Sequence, residues 1–445
     1  MKRLIGTGVL VALVVLSALV VLAGKKPGHI EYEDYTLPNG LRVILSEDHS
    51  VPIVAINVWY HVGSAHEEDG RSGFAHLFEH MMFQGSENVA KREHSNFVQR
   101  AGGNVNGTTN EDRTLYFEVM PSHQLNLGLW LEADRMRSLN VTKENFENQR
   151  NAVKEERLMR IDNQPYGAAF LTVDTLAFDY KPYSHTVIGK MVDLDAAEVS
   201  DVQKFFNLYY SSDNAVLTLV GDIDRKKTKK MVEKYFGNIP RGQGVEPLTG
   251  TEPPHTAERR MTIDDKNANV PAVFINFMTP THLHADTPAL ELLGKILTDG
   301  ESSRMYKRLV KEEEAAVIVF GGSDSRKGPS VFRFITLSNV GVDIGTCEDL
   351  IYEEIEKVRV DGIGGKELEK AKIQFKSDFI QGRQTVMSKA EALQHYAYFH
   401  GTLADINSDL AKYMAVTRED IIRVANKYFT KENRTVVIAN PASKG

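Results

Sequence analysis

Three segments in the first half of the sequence recur in the second half, each displaced by 219 residues. One such match could arise by chance, but three at a single displacement predict that the chain folds as two duplicated domains. The matched pairs are Val51–Asn57 with Val270–Asn276, Asp201–Tyr210 with Asp420–Phe429, and Asn214–Val220 with Asn433–Ala439.

The length of 445 residues and the 42% hydrophobic content agree with two globular domains. We predict an N-terminal domain over 31–240 and a C-terminal domain over 257–445. Residues 241–256 between them are rich in Gly, Pro and Thr and lack periodicity, which predicts a linker. Residues 1–24 form a separate apolar element at the N-terminus.

Each half alternates strand-like segments with amphipathic helical segments, which predicts an α+β fold. We expect each domain to contain a mainly antiparallel or mixed sheet covered by helices. The predicted strands are Val51–Val62, Arg113–Met120 and Ala215–Val220, and the predicted helices are 72–85, 142–162, Lys366–Gln381 and Ser388–Phe399.

His76, Glu79 and His80 form an H-x-x-E-H motif within the predicted helix 72–85. Residues at i and i+4 share a helix face, so both imidazoles can reach one metal ion. Glu79 lies on the same face, where it could take a proton from water. Ser72 is a suitable N-cap for this helix and Gly85 a suitable end. Two helix-face histidines satisfied by hydrogen bonds are the alternative.

A catalytic zinc site usually takes three protein ligands, so a carboxylate from a second helix is expected. The helix 142–162 offers Glu155 and Glu156 side by side. Glu156 follows Ala152 and Val153 by four and three residues, on the stripe expected to face inward. Periodicity favours Glu156 only slightly, and two solvated surface glutamates are the alternative.

Several blocks in the same order resemble the pitrilysin/insulinase family of zinc peptidases, whose motif is an inverted H-x-x-E-H. The resemblance covers essentially all of the chain after residue 30. It is greatest to small bacterial members and to the catalytic subunit of mitochondrial processing peptidase. The blocks are Gly73–Phe83, Gly102–Thr108 with Asp112 and Thr114–Tyr116, Gln149–Arg157, and Asn163–Gly167.

This resemblance implies a zinc endopeptidase with one Zn²⁺ per chain. The family pattern R-x-x-V-x-x-E runs here from Arg150 to Glu156, which implies that Glu156 is the third ligand beside the two histidines. Glu79 would be the catalytic base. Asn106, Gly107 and Thr108 match an edge strand that binds peptide substrates by strand addition, although Asn-Gly is also a common tight turn.

The second half carries no H-x-x-E-H motif. At the displacement of 219 residues, the four key positions become Lys295, Thr298, Asp299 and Phe375. One half is therefore expected to carry the chemistry, while the other shares the architecture without the metal ligands.

The long chains of the family enclose the substrate between four such domains, and this chain supplies two. The resemblance therefore implies a dimer, either a homodimer or a heterodimer with a related subunit that lacks the zinc motif. The long chains also place an Arg on the substrate carbonyl, with a Tyr seven residues later. Arg333 could provide the former, but Val340 replaces the latter, so an ordinary strand-surface arginine is the alternative.

Residues 4–24 are uncharged and apolar, with Lys2 and Arg3 before them. This pattern predicts either a signal peptide or a membrane anchor. The body is thus expected to be exported, to the periplasm or to the outer face of the inner membrane. The net charge of −7 argues against a nucleic-acid partner. Since Cys347 is the sole cysteine, a disulfide within the chain is excluded.

Two other functions remain open from the residues. One is a non-catalytic scaffold or assembly subunit of the same fold, because fold alone does not determine function. The other is a metal-dependent hydrolase that acts on something other than peptides. His282 and His284 are expected to be loop residues rather than ligands.

Overall fold

The structure, a computed structural model, describes residues 27–442. The predicted leader at 1–24 lies outside these residues. Two sheets dominate the fold, one built from strands within residues 33–221 and the other from strands within 259–441. Residues 241–256, the predicted linker, contain neither helix nor strand. The domain boundaries themselves stay predictions.

The first sheet has six strands in the order β1-β2-β6-β3-β5-β4. Only the contact between β2 and β6 is parallel, and β4 lies at one edge. The strands are β1 Glu33–Thr36, β2 Arg42–Glu47, β3 Ile53–Tyr60, β4 Asn104–Thr109, β5 Thr114–Pro121 and β6 Ala215–Gly221.

The second sheet has five strands in the order β7-β11-β8-β10-β9, with one parallel contact between β7 and β11. This order repeats that of β2-β6-β3-β5-β4, so β1 is the one strand without a counterpart. The predicted duplication and mixed-sheet class are therefore confirmed. The strands are β7 Arg259–Asp265, β8 Ala272–Thr279, β9 Ala316–Asp324, β10 Ser330–Ser338 and β11 Arg434–Pro441.

Helices cover both sheets, and several pairs keep the displacement of 219 residues. In the first half they are α1 Phe74–Met81, α2 Glu93–Arg100, α3 Leu125–Arg137, α4 Lys143–Arg157, α5 Gly167–Ala177, α6 Met191–Asp195, α7 Val199–Tyr209 and α8 Arg225–Phe236. In the second half they are α9 Thr287–Leu297, α10 Ile344–Val360, α11 Gly365–Gln381, α12 Val386–His395, α13 Leu410–Ala415 and α14 Arg418–Tyr428.

The predicted strands and helices agree with these bounds to within a few residues. The helix predicted over 142–162 consists of α4 and a π-helical turn at Leu158–Asp162. The one predicted over Ser388–Phe399 consists of α12 and a second π-helical turn at Tyr396–His400. Among residues 27–442, no helix is both long enough and apolar enough to cross a membrane.

The two domains exchange one helix each. Helix α12 belongs to the second half of the sequence but packs on the first sheet, where Leu393 and Ala390 meet Val216 and Ala55. Helix α5 belongs to the first half but packs on the second sheet, where Val173 meets Phe274 and Val437. This reciprocal packing buries apolar surface across the domain interface and holds the two sheets together.

Candidate metal centre

Helices α1 and α4 bring three potential ligands together. His76 and His80 lie one turn apart on α1, with ring centroids 4.8 Å apart and planes at 83°. The Oε2 atom of Glu156, on α4, lies 3.2 Å from Nε2 of His80 and 3.7 Å from Nε2 of His76. All three ligand atoms lie within 4.8 Å of one another. Glu156 is thus the glutamate that faces the histidines, while Glu155 is exposed.

The predicted inward stripe on α4 is only half right. Val153 is buried, but Ala152, which the periodicity also placed inside, is exposed. The helix begins as predicted, because the Thr142 hydroxyl accepts a hydrogen bond from the backbone N–H of Asn145. Arg160, one turn after Glu156, places its guanidinium 2.9 Å from the other carboxylate oxygen of Glu156.

The start of α1 differs from the prediction. Ser72 does not cap the helix; its hydroxyl instead donates to Asp193, and Gly73 takes the N-cap position with φ 91°. The buried carboxylate of Glu67 accepts from the backbone N–H groups of Gly73 and Ala75, at 2.9 and 2.7 Å. Helix N-termini favour such a negative charge.

Glu67 lies outside any local capping pattern, because it reaches α1 from across an intervening loop. No signal in the sequence marked it. His185 joins the group from a distant segment, with Nε2 3.1 Å from the Glu67 carboxylate. The other end of α1 also differs, since the helix stops at Met81 rather than running to Gly85.

The pKa shifts of His76 and Glu156 suit a divalent cation. Burial lowers the pKa of His76 to about 4, and the neighbouring His80 acts in the same direction. Hydrogen bonding to His80 lowers the pKa of Glu156. Neutral imidazoles and an ionised carboxylate are the forms that bind zinc. Two nitrogen donors and one oxygen donor match the protein ligands of a catalytic zinc site.

Glu79, on the same helix as the two histidines, also contacts the edge strand β4. Its carboxylate accepts a 2.7 Å hydrogen bond from the Thr109 hydroxyl. Burial raises the pKa of Glu79, and the bond from Thr109 opposes that rise. A Cβ atom on Gly107 would lie only 3.1 Å from Cγ and 3.3 Å from Oε1 of Glu79. The absence of a side chain at Gly107 therefore leaves the space that this carboxylate occupies.

The segment Asn106-Gly107-Thr108 lies within β4 rather than in a turn, so the tight-turn alternative is wrong. The strand pairs with β5 on one side and forms the sheet edge on the other. Asn106 and Thr108 are exposed, while Gly107 is buried against Glu79 and Tyr116. An exposed strand edge thus runs beside the candidate base.

The counterparts in the second domain line a cleft of about 790 Å³ and are engaged in contacts of their own. The ammonium of Lys295 lies 2.9 Å from Asp299 and 2.6 Å from Asp378. The Thr298 hydroxyl donates to backbone carbonyl groups. Phe375 stacks on the ring of Tyr413, with centroids 3.7 Å apart. Within the described residues, none of Lys295, Thr298, Asp299 and Phe375 belongs to a group that could hold a metal ion.

Arg333 lies within β10, near the place where the exchanged helix α5 packs on the second sheet. Its guanidinium donates to Asp174 on α5 and to Asn276 on β8, the latter at 3.1 Å. These contacts favour the structural alternative for Arg333. His284 lies in a loop, as predicted, and its ring accepts from the Asp286 backbone N–H at 3.0 Å. His282 also lies in that loop but meets two further histidines, which the sequence did not indicate.

Comparison with known proteins agrees with these observations. Residues 42–190 match the family model described as "Insulinase (Peptidase family M16)", and residues 196–375 match "Peptidase M16 inactive domain". The chain is 31% identical to the zinc protease PqqE of Helicobacter pylori over 99% of both chains. It is 21% identical to a probable mitochondrial-processing peptidase subunit beta of Arabidopsis thaliana, over 91% of this chain and 78% of that one.

A crystal structure of a protease from Helicobacter pylori superposes with a TM-score of 0.89 at 31% identity. The match covers 93% of this chain and 100% of that chain. The family resemblance seen in the sequence is thus confirmed. The near-complete coverage and the shared two-domain fold lead to one conclusion: this chain belongs to the insulinase family of zinc proteases, peptidase family M16.

Proposed function

We propose that this protein is a zinc-dependent endopeptidase that hydrolyses peptides or unfolded polypeptide segments. The observation that carries the proposal is the convergence of His76, His80 and Glu156, with Glu79 between them and an exposed strand edge. These three residues would hold one Zn²⁺ per chain. When bound in such a site, zinc acts as a Lewis acid that polarises a carbonyl group and activates water.

In this proposal Glu79 is the general base. Its carboxylate would take a proton from the attacking water and deliver it to the leaving amine, so that one group serves both steps. The burial that raises the pKa of Glu79 makes it a better proton acceptor than an exposed glutamate. The Thr109 hydroxyl would fix the orientation of the carboxylate through its hydrogen bond.

The substrate would bind as an added strand on β4. Backbone N–H and C=O groups at the edge of a sheet form hydrogen bonds with any extended peptide, which suits a broad range of sequences. The exposed side chains of Asn106 and Thr108 would contact the substrate, while Gly107 keeps the space around Glu79 open. Arg333 is engaged with Asp174 and Asn276, so the proposal gives it no contact with substrate.

A peptidase assay with and without a chelator tests this function. Purified protein should cleave members of a quenched fluorescent peptide library, lose that activity with 1,10-phenanthroline, and regain it when Zn²⁺ is added. A protein that binds zinc but cleaves no peptide, alone or with a related subunit, would instead support the scaffold function. Cleavage that persists in a zinc-free protein would overturn the zinc assignment.

We further propose that the active form is a dimer, either with itself or with a related subunit that lacks the zinc motif. One two-domain chain leaves the β4 edge exposed on one side of the substrate, and a second chain would enclose it. A relative is itself named as a subunit of a larger peptidase. Light scattering should give a dimeric mass, or activity should rise when a candidate partner is added. A fully active monomer at nanomolar concentration would contradict this proposal.

The apolar segment 4–24 supports export of the protein, through a cleaved signal peptide or a retained anchor. We expect the zinc-bearing body in the periplasm or on the outer face of the inner membrane. Cell fractionation together with N-terminal sequencing of the mature protein would distinguish the two, and recovery of the intact chain from the cytosol would exclude both.

A further inference from the structure

A second group of three histidines lies away from α1, between the two domains. His282 comes from the loop after β8, His395 ends α12, and His400 ends the π-helical turn that follows. The Nε2 atoms of His282 and His395 are 3.0 Å apart. One ring nitrogen from each of the three residues lies within 4.8 Å of the others. Ligand nitrogens around a tetrahedral zinc ion are separated by roughly 3.3 Å, given Zn–N bonds of about 2.05 Å.

The π-helical turn explains how two of these residues come together. His395 and His400 are five residues apart, and in a regular α-helix that spacing would place them about 140° apart around the axis. The turn at Tyr396–His400 winds more widely, with i→i+5 hydrogen bonding, so residues five apart face the same side. Such turns occur often at functional sites.

The third histidine is held by its own contacts. The backbone N–H of His282 donates to the carbonyl of Arg326 at 2.9 Å. The ring of His282 packs on that of Phe399, with centroids 5.0 Å apart. The second domain therefore fixes the position of His282. His395 and His400 are positioned by α12, which packs on the first sheet.

The charge state of the three rings favours a cation. Burial lowers the pKa of His282 to about 4 and that of His395 to about 3, and it also lowers the pKa of His400. The lowered pKa values favour neutral rings, which is the form in which histidine binds metal ions. Asp409 faces all three rings, with Lys412 and Arg383 nearby. The Asp409 carboxylate accepts from Tyr396 at 2.8 Å and forms an ion pair with Lys412 at 2.7 Å, which balances its charge.

Two other groups of possible ligands in the described part of the chain are already neutralised internally. In one, His94, Glu118 and Glu132 surround the guanidinium of Arg135, which donates to Glu132 at 2.9 Å. In the other, Glu252 accepts backbone N–H groups from Asp179 and Tyr180. In the three-histidine group the internal contact is the hydrogen bond between the Nε2 atoms of His282 and His395, which a bound metal ion would replace. A cavity of about 260 Å³ beside His282 and His395 leaves room for a fourth ligand such as water.

We propose that His282, His395 and His400 form a second binding site for a divalent transition metal, with Zn²⁺ as the expected ion. The site would tie the exchanged helix α12 to the loop after β8 and so fasten the two domains to each other. Its role is structural, and it is independent of the metal centre on α1.

Metal content measured in variants of the full-length protein tests this inference. Zinc-reconstituted, dialysed wild type should contain two zinc ions per chain by plasma mass spectrometry. His400→Gln and, separately, His282→Gln should lower the content to one. His123→Gln, a change at an exposed histidine, should leave it at two. A double variant, His76→Gln with Glu156→Gln, should keep one ion.

The double variant also permits a test that does not depend on mutating the histidine group. Cobalt added to it should give the visible absorption of a low-symmetry, four- or five-coordinate ion, and zinc should raise its melting temperature. Both effects should disappear when His400→Gln is added. Absence of bound metal from the folded double variant would overturn the inference, as would an unchanged zinc content in both single variants.

Discussion

The candidate metal centre and the equivalent cleft in the second domain are built on the same sheet topology. They differ in the contacts that their side chains make. In the first, one ligand atom from each of His76, His80 and Glu156 lies within 4.8 Å of the other two. In the second, Lys295 is neutralised by two aspartates and Phe375 stacks on Tyr413. The first arrangement groups three donor atoms that one metal ion could share, whereas the equivalent residues of the second are engaged with their neighbours.

This difference shows that the fold supplies positions rather than chemistry. The same helix-to-sheet geometry brings equivalent residues together twice, but the side chains at those positions decide what each group can bind. Three potential metal ligands converge at the first site, where Glu156 also pairs with Arg160, and this convergence supports the metal function proposed for that site. The replacement of ligands by an ion pair and an aromatic stack marks the other as structural.

The largest effect should come from Glu79→Gln. The substitution removes the proposed proton acceptor but retains its shape, so activity should fall by about 10²- to 10⁴-fold while zinc content stays unchanged. Peptide hydrolysis and metal analysis on the same preparation would check both. Glu87→Gln, at an exposed position, is the control. Near-normal activity in Glu79→Gln would remove this residue from the mechanism.

Next in size is the contrast between adjacent glutamates on α4. Glu156→Gln should weaken zinc binding by at least about 100-fold, since changes to mere outer partners of ligands already cost 10- to 100-fold. Glu155→Gln is the matched control and should bind zinc as the wild type does, because Glu155 is exposed. Competition with a chromogenic chelator measures both affinities. If Glu155→Gln were the damaging change, the ligand assignment would be off by one residue.

A smaller effect is expected from Gly107→Ala. The added methyl group would press on the Glu79 side chain, and a displacement near 1 Å can reduce catalysis by about 100-fold. We expect kcat to fall by about 10- to 100-fold with zinc retained. In the second cleft, Gly294→Ala meets only ordinary contacts and should leave kcat unchanged. Equal losses from both would mean that Gly107 has no special relation to Glu79.

The smallest effect concerns Asp48, which binds Lys389 of the exchanged helix α12. Burial acts to raise the pKa of Asp48, but hydrogen bonds from Lys389 and Ser50 outweigh it and lower the pKa to about 2. The ionised form is therefore favoured in the folded state. Asp48→Asn should cost about 2 kcal/mol near neutral pH.

The sign of the pH dependence follows from that lowered pKa. The stabilisation is fully present above the unfolded pKa near 4 and is lost as the pH falls through about 2. Melting temperatures of wild type and Asp48→Asn should differ most at pH 7 and converge as the pH falls below about 2. Asp69→Asn, in an exposed ion pair with Lys181, is the control and should change little at any pH. A constant difference across this range would contradict the assignment.

Much of the candidate site was accessible from the sequence because its signals are local. The spacing of His76 and His80 specifies one helix face, and the R-x-x-V-x-x-E match selected the glutamate that faces them. Other features had no local signal. Glu67 caps α1 from a separate loop, and His282 meets His395 and His400 only after both domains are assembled.

The sequence by itself determined the duplication, the strand and helix pattern, and the residues of the H-x-x-E-H helix. These follow from short-range periodicity and from repeats, which can be recognised in the sequence without a structure. Tertiary structure alone decided the exchange of α5 and α12, the commitment of Arg333 to Asp174, and the meeting of three distant histidines. Such contacts depend on which surfaces bury each other, and that free energy is a property of the packed chain rather than of any segment.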